Sequence, residues 1–331
     1  MTYSPPPGTP RARIPGPQQP PPAQPRIRAG LWKRCLVGGL GLWALTALVT
    51  YVTGNTALLP TPILLGSFLV PVCFVLWAYE WHGRDLGVST ILGCFLTGGT
   101  LGALGASVME SYLLRPSLWM FAGVGLIEEA VKLGALVFVL RRQTRVRGLR
   151  AGLVLGGAVG FGFAAPESAG YAFHAAVSTT GVDLGALLET EIPRGVLAPF
   201  GHGLWTAVAG GVLLAYRRPN GRFRFATPVV GAYLGVSLLH ALWDSTHGIA
   251  IRLVTRLSGA GPDRRLFGEG YIPAPTTEQQ HLFTLFSVGG MALVALAGVA
   301  WVRSLARQDP FWSGPRSPSP GRSRSPWRNT P

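Results

Sequence analysis

Three ionisable residues on one apolar stretch define the chemistry open to this chain. Between Leu118 and Leu140 lies a run of about 20 largely apolar residues, long enough to cross a bilayer. Glu128, Glu129 and Lys132 interrupt it near the middle. On insertion scales each such charge costs roughly 2.5–3.5 kcal/mol at the centre of a spanning helix. A chain retains such groups where partners meet them or chemistry uses them.

Further polar groups sit on three later apolar runs. Phe163 and Glu167 are four residues apart within FGFAAPESAGYAF, and so share a helical face. His202 lies in FGHGLW, and His240 and Asp244 are one turn apart in LLHALWDS. Four helices thus aim three Glu, two His and one Asp toward one pocket, and intramembrane ionisable residues mark functional sites. Two hydrolytic chemistries fit. In one, Glu167, His202, His240 and Asp244 hold a divalent metal of the zinc type, and a Glu of the first motif takes a proton from bound water. In the other, Glu128 or Glu129 activates water directly and the histidines stabilise the oxyanion. Lys132 reads as a counter-charge, and Asp244 also reads as an orienting partner of His240.

The elements that position these groups are membrane spans. Charged residues make up 13% of the 331 residues, against about 25% in soluble domains. Hydrophobic residues make up 48%, and mean hydropathy is +0.33. The fold class is therefore all-α, a polytopic helical bundle. Eight apolar segments are expected at 35–53, 62–79, 88–109, 118–140, 153–177, 197–216, 228–249 and 282–302. The net charge of +15 does not indicate a specific nucleic-acid partner. Arg141, Arg142, Arg145, Arg147 and Arg150, then Arg217, Arg218, Arg222 and Arg224, fall in alternate loops, as the positive-inside rule requires. The opposite loops hold Glu110, Asp183, Glu189 and Glu191. Both termini are accordingly placed in the cytoplasm.

Residues 1–30, rich in Pro and Arg, and 305–331, rich in Ser, Arg and Pro, read as disordered tails around a membrane domain at 31–304. The basic tail suits anionic lipid better than RNA. Cys35, Cys73 and Cys94 form no spaced pair, so neither a disulfide nor a thiolate metal site is expected. The bias to Arg, Gly, Ala and Pro points to a GC-rich bacterial genome.

The four motifs, Glu128-Glu129-x-x-Lys132, Phe163-x-x-x-Glu167, His202 and His240-x-x-x-Asp244, resemble those of the PrsW family of intramembrane proteases, related to the CAAX-processing and bacteriocin-processing membrane proteases. Order and spacing match over roughly 118–248. Many relatives carry Asn after the second-motif Glu, where this chain has Ser168, with Pro166 just before it. The resemblance implies a multi-pass protease of the bacterial plasma membrane. It implies cleavage of membrane-anchored proteins, in the best-known case the first, outer-side cut of an anti-sigma factor. Two other classes compete. A transporter or proton-coupled channel also uses carboxylate and His relays, yet calls for a repeat or paired broken helices, and none is evident. A non-catalytic scaffold predicts that Glu128→Ala changes no cleavage.

Overall fold

The computed structural model describes residues 30–117, 119–178, 181–258 and 275–308. Residues 1–29 and 309–331 of the expected tails and the Arg264–Arg265 part of the last expected loop lie outside them, while 305–308 extend the last helix. Ten α-helices make up the described fold. They are α1 (Leu31–Thr53), α2 (Pro60–Leu86), α3 (Val88–Thr97), α4 (Ala103–Leu113), α5 (Met120–Leu140), α6 (Leu149–Ala176), α7 (Leu184–Leu197), α8 (His202–Ala215), α9 (Thr227–Leu257) and α10 (Thr277–Gln308). A two-rung antiparallel pair, Val177 with Val182 and Ser178 with Gly181, closes the turn after α6.

Six helical stretches are long and apolar enough to cross a membrane. α5 and α9 complete the eight expected crossings, with 21 and 31 residues. Both are interrupted by charge: α5 carries Glu128, Glu129 and Lys132, and α9 carries Asp244, Arg252 and Arg256. The third crossing is α3 and α4 joined by a π-helical turn at Gly98–Gly102.

The sixth crossing differs from expectation. α8 has only 14 residues, about 21 Å at 1.5 Å per residue, too short for a ~30 Å hydrocarbon core. The crossing begins instead at Leu184, with α7 and a 3₁₀ turn at Ala198–Phe200 leading into α8. Glu189, Glu191 and Arg194, expected in a loop, therefore lie on a helix, and Asp183 caps it by accepting from the Ala186 N–H. Acids and Pro193 masked the helical pattern. Glu191 is buried, and its Oε2 accepts from Trp43 Nε1 of α1 at 2.8 Å. Glu110 likewise lies on α4, half-buried. α9 runs on to Leu257 and takes Arg252 and Arg256 out of the expected loop.

α6 is the central element, and its glycines explain how. A Cβ at Gly152, Gly156 or Gly160 would stand 2.2–2.3 Å from the carbonyl oxygens of Gly210, Thr206 and His202. This small-residue stripe, one per turn, brings the backbone of α8 directly against α6. On another side, a Cβ at Gly162 would stand 2.0 Å from the Phe95 carbonyl, and one at Gly98 2.2 Å from that of Val159. α6 is thus held between two backbones. It runs helical through Pro166, which leaves the Gly162 carbonyl without its usual donor. That carbonyl faces Gly99 of the π-turn, where a Cβ would come within 2.8 Å.

Arg217 does not act as a solvated loop cation. It is buried, and burial pushes its pKa down from the usual value. Its guanidinium donates to the carbonyls of Gly221, Gln143, Val146 and Leu140 at 2.7–3.1 Å. It lies over Phe223, 4.2 Å from the ring centroid. The α5–α6 and α8–α9 loops are tied together by this one side chain. Arg217→Ala is expected to lower stability by about 3 kcal/mol, because four carbonyls, two of them fully buried, lose a charged donor. Arg217→Lys should not restore it, since an ammonium cannot span that fork. Thermal unfolding in detergent measures both.

Candidate active site

Four crossings converge as their motifs require. Lys132 is the hub. Its Nζ donates to Glu128 Oε2 and Glu129 Oε1, each at 2.9 Å, and to His202 Nδ1 at 2.7 Å. It also lies 4.0 Å from the centroid of the Phe163 ring, a cation–π contact. Phe163 is held in turn by the π-turn, where a Cβ at Gly102 would stand 3.2 Å from the ring. The phenylalanine of the second motif is therefore the floor of the ammonium site.

The two glutamates differ in accessibility. Glu129 is 0% exposed and fully engaged: Oε1 accepts from Lys132 and His240 Nδ1 (3.1 Å), and Oε2 accepts from Thr206 Oγ1 (3.1 Å). Glu128 uses only Oε2 toward Lys132 and stays 6% exposed. Around it the site opens outward, with Asp244 and Glu167 side chains 25% and 23% exposed. Glu128 is the slightly more exposed member of the pair.

These partners assign the histidine protons. The Lys132 ammonium donates to His202 Nδ1, so His202 carries its proton on Nε2. That atom lies 2.7 Å from Glu167 Oε2. Glu129 accepts from His240 Nδ1–H, which turns Nε2 toward Glu128 Oε2 at 3.6 Å and Asp244 Oδ2 at 3.4 Å. Trp205, fully buried, lies across the His240 ring at 4.7 Å and meets His202 edge-on at 5.5 Å. It packs against both imidazoles and holds their rings in place.

Glu167 is placed from a helix not recognised in the sequence. Arg194 Nη2 of α7 lies 3.2 Å from Glu167 Oε2, and Arg194 Nε donates to Ser168 Oγ at 3.0 Å. Neither Glu167 contact is aligned as a hydrogen bond, so charge holds the carboxylate. Ser168 acts through Arg194. Arg194→Ala is expected to slow cleavage by about tenfold by releasing Glu167. Stability should change by about 1 kcal/mol or less, because the pair is partly exposed. Rates and melting curves measured together separate the two effects. Thr206 was legible, being four residues after His202 and thus on the same helical face; Arg194 had no comparable signal.

The donor set suits a zinc-type ion in kind. Glu128, His202 and His240 each offer one ligand atom, and the three lie within 4.8 Å of one another. Glu167 and Asp244 flank this group on either side. Glu128 Oε2 is 3.7 Å from His202 Nδ1, near the ~3.3 Å between two ligands of a tetrahedral zinc. Those two atoms already share the Lys132 ammonium. An ion about 2.1 Å from both would lie at most about 3 Å from Nζ, given Nζ at 2.9 and 2.7 Å from the same pair. Charges of +2 and +1 at that separation repel by about 11 kcal/mol at an effective dielectric of ~20. An ion held by those two atoms and the ammonium exclude one another, so the Glu128 Oε2 and His202 Nδ1 pair as folded does not fit a metal.

Four crossings of a helical membrane bundle thus gather carboxylates, imidazoles and an ammonium, a set able to activate water. The model of the PrsW family of intramembrane metalloproteases matches residues 86–260, over half of the chain, and the chain belongs to that family. The match begins at Leu86 and so takes in α3, the π-turn and α4 as well as the four motif-bearing crossings. No curated protein and no solved structure matches the chain.

Proposed function

We propose that this protein cuts a membrane-anchored protein substrate at a peptide bond in the outer half of the bilayer, with Glu128 as the general base. The observation that carries this reading is the asymmetry of the glutamate pair, one sealed into a polar network and one slightly exposed with an oxygen not engaged by Lys132. Glu128 takes a proton from water as that water attacks the scissile carbonyl. The Nε2–H of His202, only loosely held by Glu167, donates to the oxyanion. Glu128 then returns the proton to the leaving nitrogen. Glu129, Thr206 and Trp205 hold His240, whose Nε2, with Asp244, orients the water.

Depth supports an outer-side cut. Glu128 is eight residues from the outer end of α5, about 12 Å at 1.5 Å per residue, with both termini cytoplasmic. The substrate class we infer is a single-span protein, with the anti-sigma factor of a bacterial envelope-stress pathway as the first candidate. A zinc enzyme is the second reading, favoured by the Glu128, His202 and His240 grouping and by the family's description as metalloproteases.

The test is cleavage of a panel of single-span substrates, an anti-sigma factor among them, by wild type, Glu128→Gln and His240→Ala in detergent. Cleavage by wild type that both variants lose is expected. Well-folded variants that cut like wild type would sink the proposal.

A further inference from the structure

Lys132 is more elaborately held than a counter-ion to one carboxylate needs to be. An ammonium has three protons to donate, and all three are spent, on Glu128, Glu129 and His202. The aromatic face of Phe163 closes another side. The side chain is 0% exposed, and its Glu128 and Glu129 partners belong to its own helix, at fixed spacings of four and three residues. Two of its three acceptors, Glu128 Oε2 and His202 Nδ1, lie 3.7 Å apart, so an ion held by both would meet the ammonium.

We propose that the Lys132 ammonium is the resident cation of this site. It fills the place where Glu128, His202 and His240 would otherwise hold a divalent ion, and the wild-type chain works without one. Its role is positional: it aims Glu128 and sets the His202 tautomer, while the substrate never reaches it. The prediction about metal rests on the geometry alone. Its catalytic consequence rests on the protease reading above.

A corollary makes the idea testable. Removing the ammonium while keeping the three donors should create the metal site that the wild type lacks. Lys132→Met combined with Glu129→Gln removes one positive and one negative charge together, leaving no additional net charge in the core. Wild type, this double variant, and the double variant with His202→Ala would be loaded with zinc, desalted and analysed for metal. Cobalt would be used in parallel for its visible absorption.

Near-zero zinc on wild type, about one per chain on the double variant, and loss of that zinc with His202→Ala are expected. Stoichiometric zinc on wild type that His202→Ala abolishes would overturn the proposal, and this arm does not depend on the double variant folding. So would a double variant that runs as a monodisperse peak and takes up no zinc. Cleavage by wild type is measured separately in chelator. Metal-free but inactive protein counts against the protease reading and leaves the cation assignment standing, whereas activity restored only by added zinc overturns the assignment.

Discussion

Glu128→Gln is expected to lower the cleavage rate by 10²–10⁴-fold, the range for loss of a general base, while the protein stays folded. The amide keeps the size of the carboxylate and an oxygen for Lys132, but it cannot take a proton from water. Glu129→Gln should behave in the opposite way. Glu129 is sealed among Lys132, His240 and Thr206, and breaking a buried charge pair on one side costs about 3–5 kcal/mol. Its signature is a lower unfolding temperature, with residual activity in the folded fraction. Measuring kcat per folded molecule for both variants, alongside thermal unfolding, separates the roles. Equal effects of the two substitutions on both readouts would remove the distinction drawn between them.

Gly160→Ala is expected to cost about 10²-fold in activity from a single added methyl group. The new Cβ would stand 2.2 Å from the His202 carbonyl oxygen, so α8 must retreat by about 1 Å to reach an ordinary contact. A displacement of that size at reacting groups is enough for such a loss. The added strain is about 1–3 kcal/mol, so the variant should still fold. Gly134→Ala is the matched control, since nothing lies within 4 Å of a Cβ there, and it should leave rate and stability unchanged. If Gly160→Ala is as active as Gly134→Ala, the glycine stripe does not position His202.

Much of this was readable from the sequence. The four motifs, their convergence and the helical membrane class follow from apolar runs and from ionisable residues spaced by three or four. What escaped notice has physical causes. α7 is helical despite Pro193 and two acids because α6 and α2 pack against it, with Leu187 joining Ala172, Ala176, Leu59 and Ile63 in a buried cluster. Hydropathy alone places that segment outside the bundle. Arg217 was read by its charge, whereas its place is set by carbonyls on two distant loops. The difference between Glu128 and Glu129 is also invisible in a sequence, because adjacent residues on a helix differ by a rotation of about 100°. Only the partners on α8 and α9 show which of them is enclosed.

The pairing of Lys132 with two glutamates on its own helix also bears on how the protein is made. α5 leaves the ribosome before the chain segments that carry Thr206, His202 and His240. Three bare charges would burden its entry into the bilayer by roughly 8–10 kcal/mol. Because the ammonium reaches both carboxylates three and four residues away, the helix satisfies most of its own charge as soon as it coils. It can therefore wait in lipid, carrying a single surplus negative charge, until α8 and α9 arrive. The contact that later orders the site first serves as a travelling counter-ion during biogenesis.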